Sequence, residues 1–345
     1  MAKVSFSLLF ALYFLFLQWG LVPYTATAYN ASGLSYDFYE KSCPNVERII
    51  HNVVSQKLTE AFSTAGGALR IFFHDCFVEV GSVPPTLLGC DASVLIASSK
   101  TNKAERDAEI NLSLPGDGYE VFFRAKRALE LQCPGIVSCT DVMAIATRDL
   151  LNLVGAPRWE VLKGRRDGLV SKASRVAGNI PEPTQTVSEL ISLFKSKGLS
   201  VLDMVALSGG HTIGFSHCDQ FMSRIYSFNK TFDIDPTMDK DYAQMLQESC
   251  PEKTFYRNIV LPNDVSTPQA FDNAYYTNLQ KGLGLLSSDQ ILALDPTTQV
   301  YVNSMAKNQQ VFFRHFVRAM IKLGEIGVKT GSNGEIRRDC GVFNS

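Results

Sequence analysis

The chain has 345 residues, 46% of them hydrophobic, which suits one large or two small domains around a substantial core. Its net charge is −1 at neutral pH with no basic block, so the composition offers nothing to a nucleic acid. It holds no internal repeat and no low-complexity tract.

Met1-Ala2-Lys3 precedes an apolar run over residues 4–22, and Ala26-Thr27-Ala28 supplies a small-residue cleavage pattern. Residues 1–28 therefore read as a secretory signal peptide, leaving 29–345 as the mature domain. The run is also long enough for an N-terminal membrane anchor. Beyond it strand signals are sparse and helical periodicity recurs. Amphipathic stretches cover 46–63, 119–131, 140–153, 187–197, 201–207, 242–248, 273–281 and 300–323. Ser138 or Thr140 marks one helix start and Asp239 another, while Pro134 and Pro251 close two others. Turn-rich segments lie at 177–184 and 262–269. The pattern predicts an all-α protein of roughly ten helices with minor β.

Secretion makes the eight cysteines readable as four disulfides, although count alone leaves about a hundred pairings. The competing reading, a structural zinc site, needs paired close spacings that these cysteines lack.

Two segments carry most of the chemistry. In Leu69-Arg70-Ile71-Phe72-Phe73-His74-Asp75-Cys76, Arg70 and His74 are one helical turn apart on the same face. A fixed cation beside an imidazole that accepts and returns a proton suits heterolysis of a peroxide O–O bond. In Leu207-Ser208-Gly209-Gly210-His211-Thr212-Ile213-Gly214, His211 is placed to serve as an axial ligand to a haem iron. Further motifs follow in order: Tyr39…Ser42-Cys43-Pro44-Asn45, Gly89-Cys90-Asp91-Ala92-Ser93, Cys133-Pro134…Val137-Ser138-Cys139…Asp141 and Gly164-Arg165-Arg166-Asp167. Thr267-Pro268…Phe271-Asp272-Asn273, Ser288-Asp289-Gln290 and Arg338-Asp339-Cys340 complete the set.

In this order the motifs resemble the secreted plant haem peroxidases (class III), from about residue 34 to residue 344. The resemblance implies two helical lobes with haem b between them, and the pairings Cys43–Cys133, Cys76–Cys90, Cys139–Cys340 and Cys218–Cys250. It makes His74 the base and then acid toward hydrogen peroxide, and Arg70 the group that stabilises the departing oxygen. Phe73 packs at the haem edge, Asn111 orients His74, and Glu105 links this network to a calcium ion. His211 becomes the iron ligand and Asp289 the acceptor of its other ring nitrogen. Asn263 stands where many relatives carry an apolar side chain. Pro181 lies where small phenolic donors approach.

Two calcium ions are implied as well. Thr212, Asp264, Thr267, Ala270 and Asp272 form the proximal oxygen set, and Asp75, Val78, Gly89, Asp91 and Ser93 the distal one. Plainer readings exist for each: a satisfied core histidine for His74, a helix cap for Asp289, turn carboxylates for Asp264 and Asp272, and a rigid loop for Pro181. Asn111 also opens an Asn-Leu-Ser sequon, but a pocket position would keep it bare; Asn229, in Asn-Lys-Thr, is the better glycan site.

One departure is plain. Residues 80–88 (Val-Gly-Ser-Val-Pro-Pro-Thr-Leu-Leu) interrupt the run that in relatives joins Phe-Val directly to Gly-Cys-Asp. The insert is either a bulge that leaves both ends in place, which costs little entropy, or a gene-model error. The rival from another class is a catalytically silent wall-binding protein, against which Arg70, His74, Asn111, His211 and Asp289 are all intact. The ascorbate-type intracellular peroxidases are disfavoured by the leader, the cysteines and Phe73. The expected product is a secreted monomer of the cell wall or apoplast, with no membrane association after cleavage.

Overall fold

A computed structural model describes residues 33–78, 89–253 and 259–345, all within one unit of the chain. The leader at 1–28 and the insert at 80–88 lie outside the described residues. Helix α1 (Val46–Glu60) buries Val46, Ile49, Ile50, Val54 and Lys57, one stripe of a 3.6-residue period. At Ala61 the backbone turns extended, so the 46–63 stretch ends there and α2 (Ser63–Phe77) starts after a two-residue corner. Helix α3 (Gly116–Glu130) crosses α2 at a glycine pair: a Cβ on Gly118 would sit 2.7 Å from the Gly67 carbonyl carbon. Helix α4 (Cys139–Leu153) is buried from Cys139 through Leu151 and is capped by Ser138, whose side chain accepts from the Asp141 N–H. These four helices pack on one another.

The second group begins with α5 (Val187–Ser196) and α6 (Val201–Ser208). Each opens on a reciprocal cap, Thr186 with Glu189 and Ser200 with Asp203. Short α7 (Met222–Ile225) and α8 (Lys240–Ser249) form a satellite core around Cys218, Phe221, Tyr242 and Cys250. Helices α9 (Ala274–Gln280), α10 (Ser287–Gln290), α11 (Pro296–Lys307) and α12 (Gln309–Leu323) complete the chain. The expected 300–323 helix is two: Asn308 is extended, and its side chain accepts from Gln310 and Val311 N–H to cap α12. Helix α12 packs against α6 and α11, with the Phe312 ring in contact with those of Phe271, Tyr276 and Phe316. Antiparallel β1 (Phe215–His217) and β2 (Val260–Pro262) form a two-stranded sheet. The protein is thus all-α with minor β, and no described helix is long and apolar enough to cross a membrane.

Four disulfides pair Cys43–Cys133, Cys76–Cys90, Cys139–Cys340 and Cys218–Cys250, with Cα separations of 5.7, 4.0, 5.7 and 6.0 Å. Beside the third lies a buried ionic clamp that explains Gly164-Arg165-Arg166-Asp167. Asp141 accepts from the Tyr39 hydroxyl, the Gly164 N–H and the Arg165 guanidinium, which also donates to the Gly324 and Leu162 carbonyls. Asp167 takes the N–H groups of Cys139, Thr140 and Arg337 together with the Thr140 hydroxyl. The motif therefore joins the start of α4 to the C-terminal segment.

Replacing Asp167 strands four buried donors at once. Asp167→Ala should cost about 2–4 kcal/mol, since each orphaned donor carries a desolvation penalty. The loss should be read as a lower urea midpoint at unchanged slope.

Candidate active site

The two groups of helices meet around a cavity of about 370 Å³. Arg70, Phe73 and His74 of α2 line it, as do His211 and Asp289. His211 follows the end of α6 on a short 3₁₀ turn, Gly209–Thr212. Gly66 of α2 and Gly214 approach so closely here that a Cβ on Gly66 would lie 2.9 Å from the Gly214 Cα.

His74 is buried, and its Nδ1 meets Asn111 Oδ1 at 2.7 Å. The Asn111 amide nitrogen in turn donates to the Glu105 carbonyl at 2.8 Å. An amide oxygen can only accept, so Nδ1 carries the proton and Nε2 is left as the free base. Burial, reinforced by the positive Arg70, pushes the His74 pKa down to about 3 despite the Asn111 bond. Arg70 donates to the Ser113 carbonyl at 3.1 Å and to its hydroxyl at 2.9 Å. Burial lowers its pKa to about 10, which keeps it charged at neutral pH. Phe73 stacks on Phe77 with centroids 4.0 Å apart.

His211 has the opposite partner. Its Nδ1 lies 2.9 and 3.0 Å from the two Asp289 oxygens, and its side chain is 41% exposed within the cavity region. Although the ring faces the open cavity, the protein walls around it desolvate and so disfavour its cation, but the Asp289 charge and hydrogen bond outweigh this and raise the pKa above the ordinary histidine value. Tyr275 also donates to Asp289, at 2.8 Å. Asn263 borders the cavity and is satisfied through Ser216, whose hydroxyl donates to Asn263 Oδ1 at 2.7 Å. Pro181 lines the cavity together with Ile180 and Pro183.

The proximal oxygen set converges. Thr212 Oγ1 lies 3.3 Å from Asp264 Oδ2, 3.4 Å from the Ala270 carbonyl and 3.4 Å from Asp272 Oδ1. Thr267 Oγ1 is 3.1 Å from the same Asp272 oxygen. Burial lifts the Asp264 carboxyl above its usual range. Oxygens clustered at these spacings fit one hard cation.

The distal set is more committed to the protein itself. Asp75 accepts from the N–H groups of Asp91, Ala92 and Val94, and Asp91 Oδ2 pairs with Lys329 at 3.2 Å. Ser93 donates to Glu105 at 2.9 Å, which connects this cluster to Asn111 and His74. Burial and then the Asp91 charge push Asp75 up to about 8, and Glu105 is raised well above its usual range for the same reasons. Such crowding is what a divalent cation relieves. Val78 and Gly89 flank the insert and are both buried. Among the described residues no group of three or more His, Cys, Asp or Glu side chains is arranged to hold a metal ion.

Three residues of the site escaped the sequence. Ser113 anchors Arg70, Tyr275 holds Asp289, and His217 lines the cavity with a buried Nδ1 that has no hydrogen-bond partner. Neither Ser113 nor Tyr275 lies at a helical spacing from its partner. His217 signals itself only by residue type.

The profile of the family described as peroxidase matches residues 50–308. Peroxidase 51 and Peroxidase 50 of Arabidopsis thaliana are each 50% identical to the chain over 317 residues, covering 91% of it and 93% of each relative. Peroxidase 73 of the same plant is 49% identical over 326 residues, 94% of this chain and 95% of the relative.

The two cavity histidines should titrate on opposite sides of the ordinary histidine value in the ligand-free protein. By NMR, His74 should stay neutral until the pH nears about 3, whereas His211 should titrate above the ordinary histidine value. Asp289→Asn should bring His211 below that value, because burial then acts unopposed.

Proposed function

Because the chain belongs to the peroxidase family, it is a haem-binding enzyme that reduces hydrogen peroxide at the expense of a donor, and we propose how its own residues divide that work. One observation carries the proposal: two histidines border one cavity, one tied through Nδ1 to a neutral amide and the other to a carboxylate.

His74 takes a proton through Nε2 from hydrogen peroxide entering the cavity and returns it to the oxygen that leaves as water. Asn111 holds Nδ1–H and so keeps Nε2 available. Arg70, charged and braced by Ser113, stabilises negative charge on the departing oxygen. Phe73 narrows the approach.

The residues present fit haem b: an accessible imidazole anchored at Nδ1, apolar walls from Leu69, Phe194 and Phe316, and the unpartnered His217 nitrogen for an acidic side arm of the ring. When bound, haem supplies the iron that accepts two oxidising equivalents from peroxide and releases them singly to two donors. His211 would hold that iron through Nε2, and the Asp289 bond would give its imidazole anionic character. Small phenolic donors approach beside Ile180, Pro181 and Pro183, with Phe215 at 42% exposure offering a ring surface. Residues 1–28 direct secretion to the cell wall or apoplast, and 29–345 act as one peroxidase domain. Calcium is held by Thr212, Asp264, Thr267, Ala270 and Asp272 on the proximal side, and by Asp75, Val78, Gly89, Asp91 and Ser93 on the distal side.

Exchange of the two histidines gives the direct test. His74→Leu should retain haem yet react with peroxide at least ~10²-fold more slowly, measured by stopped-flow absorbance. His211→Ala should instead lose or loosen haem, seen as a weakened Soret band. Reversed phenotypes would overturn the assignment.

Metal analysis should find two calcium ions per protein, and Asp264→Ala should remove one of them. Deleting residues 80–88 should leave the count at two. A single ion that rises to two on deletion would show that the insert disrupts the distal set.

A further inference from the structure

Tyr275 lies on α9, a helix that brackets the His211 segment. Its neighbour Tyr276 donates to the Val205 carbonyl at 2.9 Å near the end of α6, and a Cβ on Gly209 would meet the Tyr276 hydroxyl. Tyr275 itself is 2% exposed and stands edge-on to His211, with ring centroids 6.3 Å apart and planes at 80°. Its hydroxyl donates to Asp289 Oδ1 at 2.8 Å, and the same oxygen receives His211 Nδ1 at 2.9 Å. Among the described residues these are the two side-chain donors that the Asp289 carboxylate accepts. Burial, then the Asp289 charge, holds the Tyr275 phenol well above its usual range, so it remains a donor at any working pH.

We propose that Tyr275 is a positioning residue that, through Asp289, limits how strongly His211 releases electron density to the iron. The inference rests on His211 being the iron ligand. A phenol that donates to Asp289 Oδ1 stabilises charge on the carboxylate and makes it a weaker acceptor for the imidazole N–H. His211 then has less anionic character than Asp289 alone would impose. Ferric iron is correspondingly less favoured over ferrous iron. The hydroxyl also helps fix the carboxylate plane of Asp289 on the four-residue helix α10.

Tyr275→Phe removes one oxygen and keeps the ring. In the haem-loaded protein it should shift the ferrous-to-ferric ratio at fixed potential about three- to tenfold toward ferric, as expected when part of one charge-assisted hydrogen bond is lost. The iron–histidine stretching frequency of the ferrous protein, read by resonance Raman, should rise. Asp289→Asn should move both readouts the opposite way, and Tyr275→Phe combined with Asp289→Asn should match Asp289→Asn alone. A Tyr275→Phe protein with unchanged readouts, or with a shift toward ferrous, would overturn the proposal while Asp289→Asn still responds. If Asp289→Asn also leaves both unmoved, the assignment of His211 fails, and the proposal falls with it.

Discussion

Two imidazoles border one cavity, and the site depends on keeping their electrostatics apart. The difference lies in what each Nδ1 meets. Asn111 offers an amide oxygen that orients His74 without supplying charge, so burial and the neighbouring Arg70 keep that ring neutral down to about pH 3. Asp289 offers a carboxylate, which outweighs burial and favours the protonated or polarised ring of His211. In a water-poor interior such differences are large. A carboxylate in place of Asn111 would give His74 the electrostatics of His211 and remove the free base.

Each histidine is also bonded toward an oxygen-rich cluster. His74 reaches it through Asn111, the Glu105 backbone and Ser93; His211 reaches it through its neighbour Thr212. Both clusters contain buried acids whose pKa values are raised by burial and, for Asp75 and Glu105, by the neighbouring Asp91 charge. A cation in either cluster would therefore act on the adjacent histidine through short, specific bonds rather than through bulk field. Lys329 beside Asp91 distinguishes the distal cluster, because part of its negative charge is already met by the protein.

Several of the motifs that identify the chain are structural rather than chemical. Gly164-Arg165-Arg166-Asp167 serves as a buried clamp between α4 and the C-terminal segment, with Gly164 at φ +113° and its N–H turned to Asp141. Arg337 extends the same clamp by donating to the Ala92, Asp91 and Cys340 carbonyls. Breaking such a pair leaves an uncompensated buried charge, which is far more costly than never having had one. The clamp and the Cys139–Cys340 bridge hold the same two segments.

The helices were legible in the sequence because amphipathic periodicity and caps are local: Ser138 and Asp239 cap their helices as their positions indicated. The Arg70 and His74 pairing was legible for the same reason, since one helical turn fixes which residues share a face. Periodicity could not see the break at Asn308, because the apolar stripe continues across a residue whose extended backbone and capping side chain separate α11 from α12. Nor could any spacing bring Asp289 to His211, 78 residues away, without the family resemblance. Tyr275 and Ser113 had no signal at all. Their roles come from where α9 and the loop after Asn111 settle against the rest of the fold, and a hydrogen bond accurate to a few tenths of an ångström is decided only by that packing.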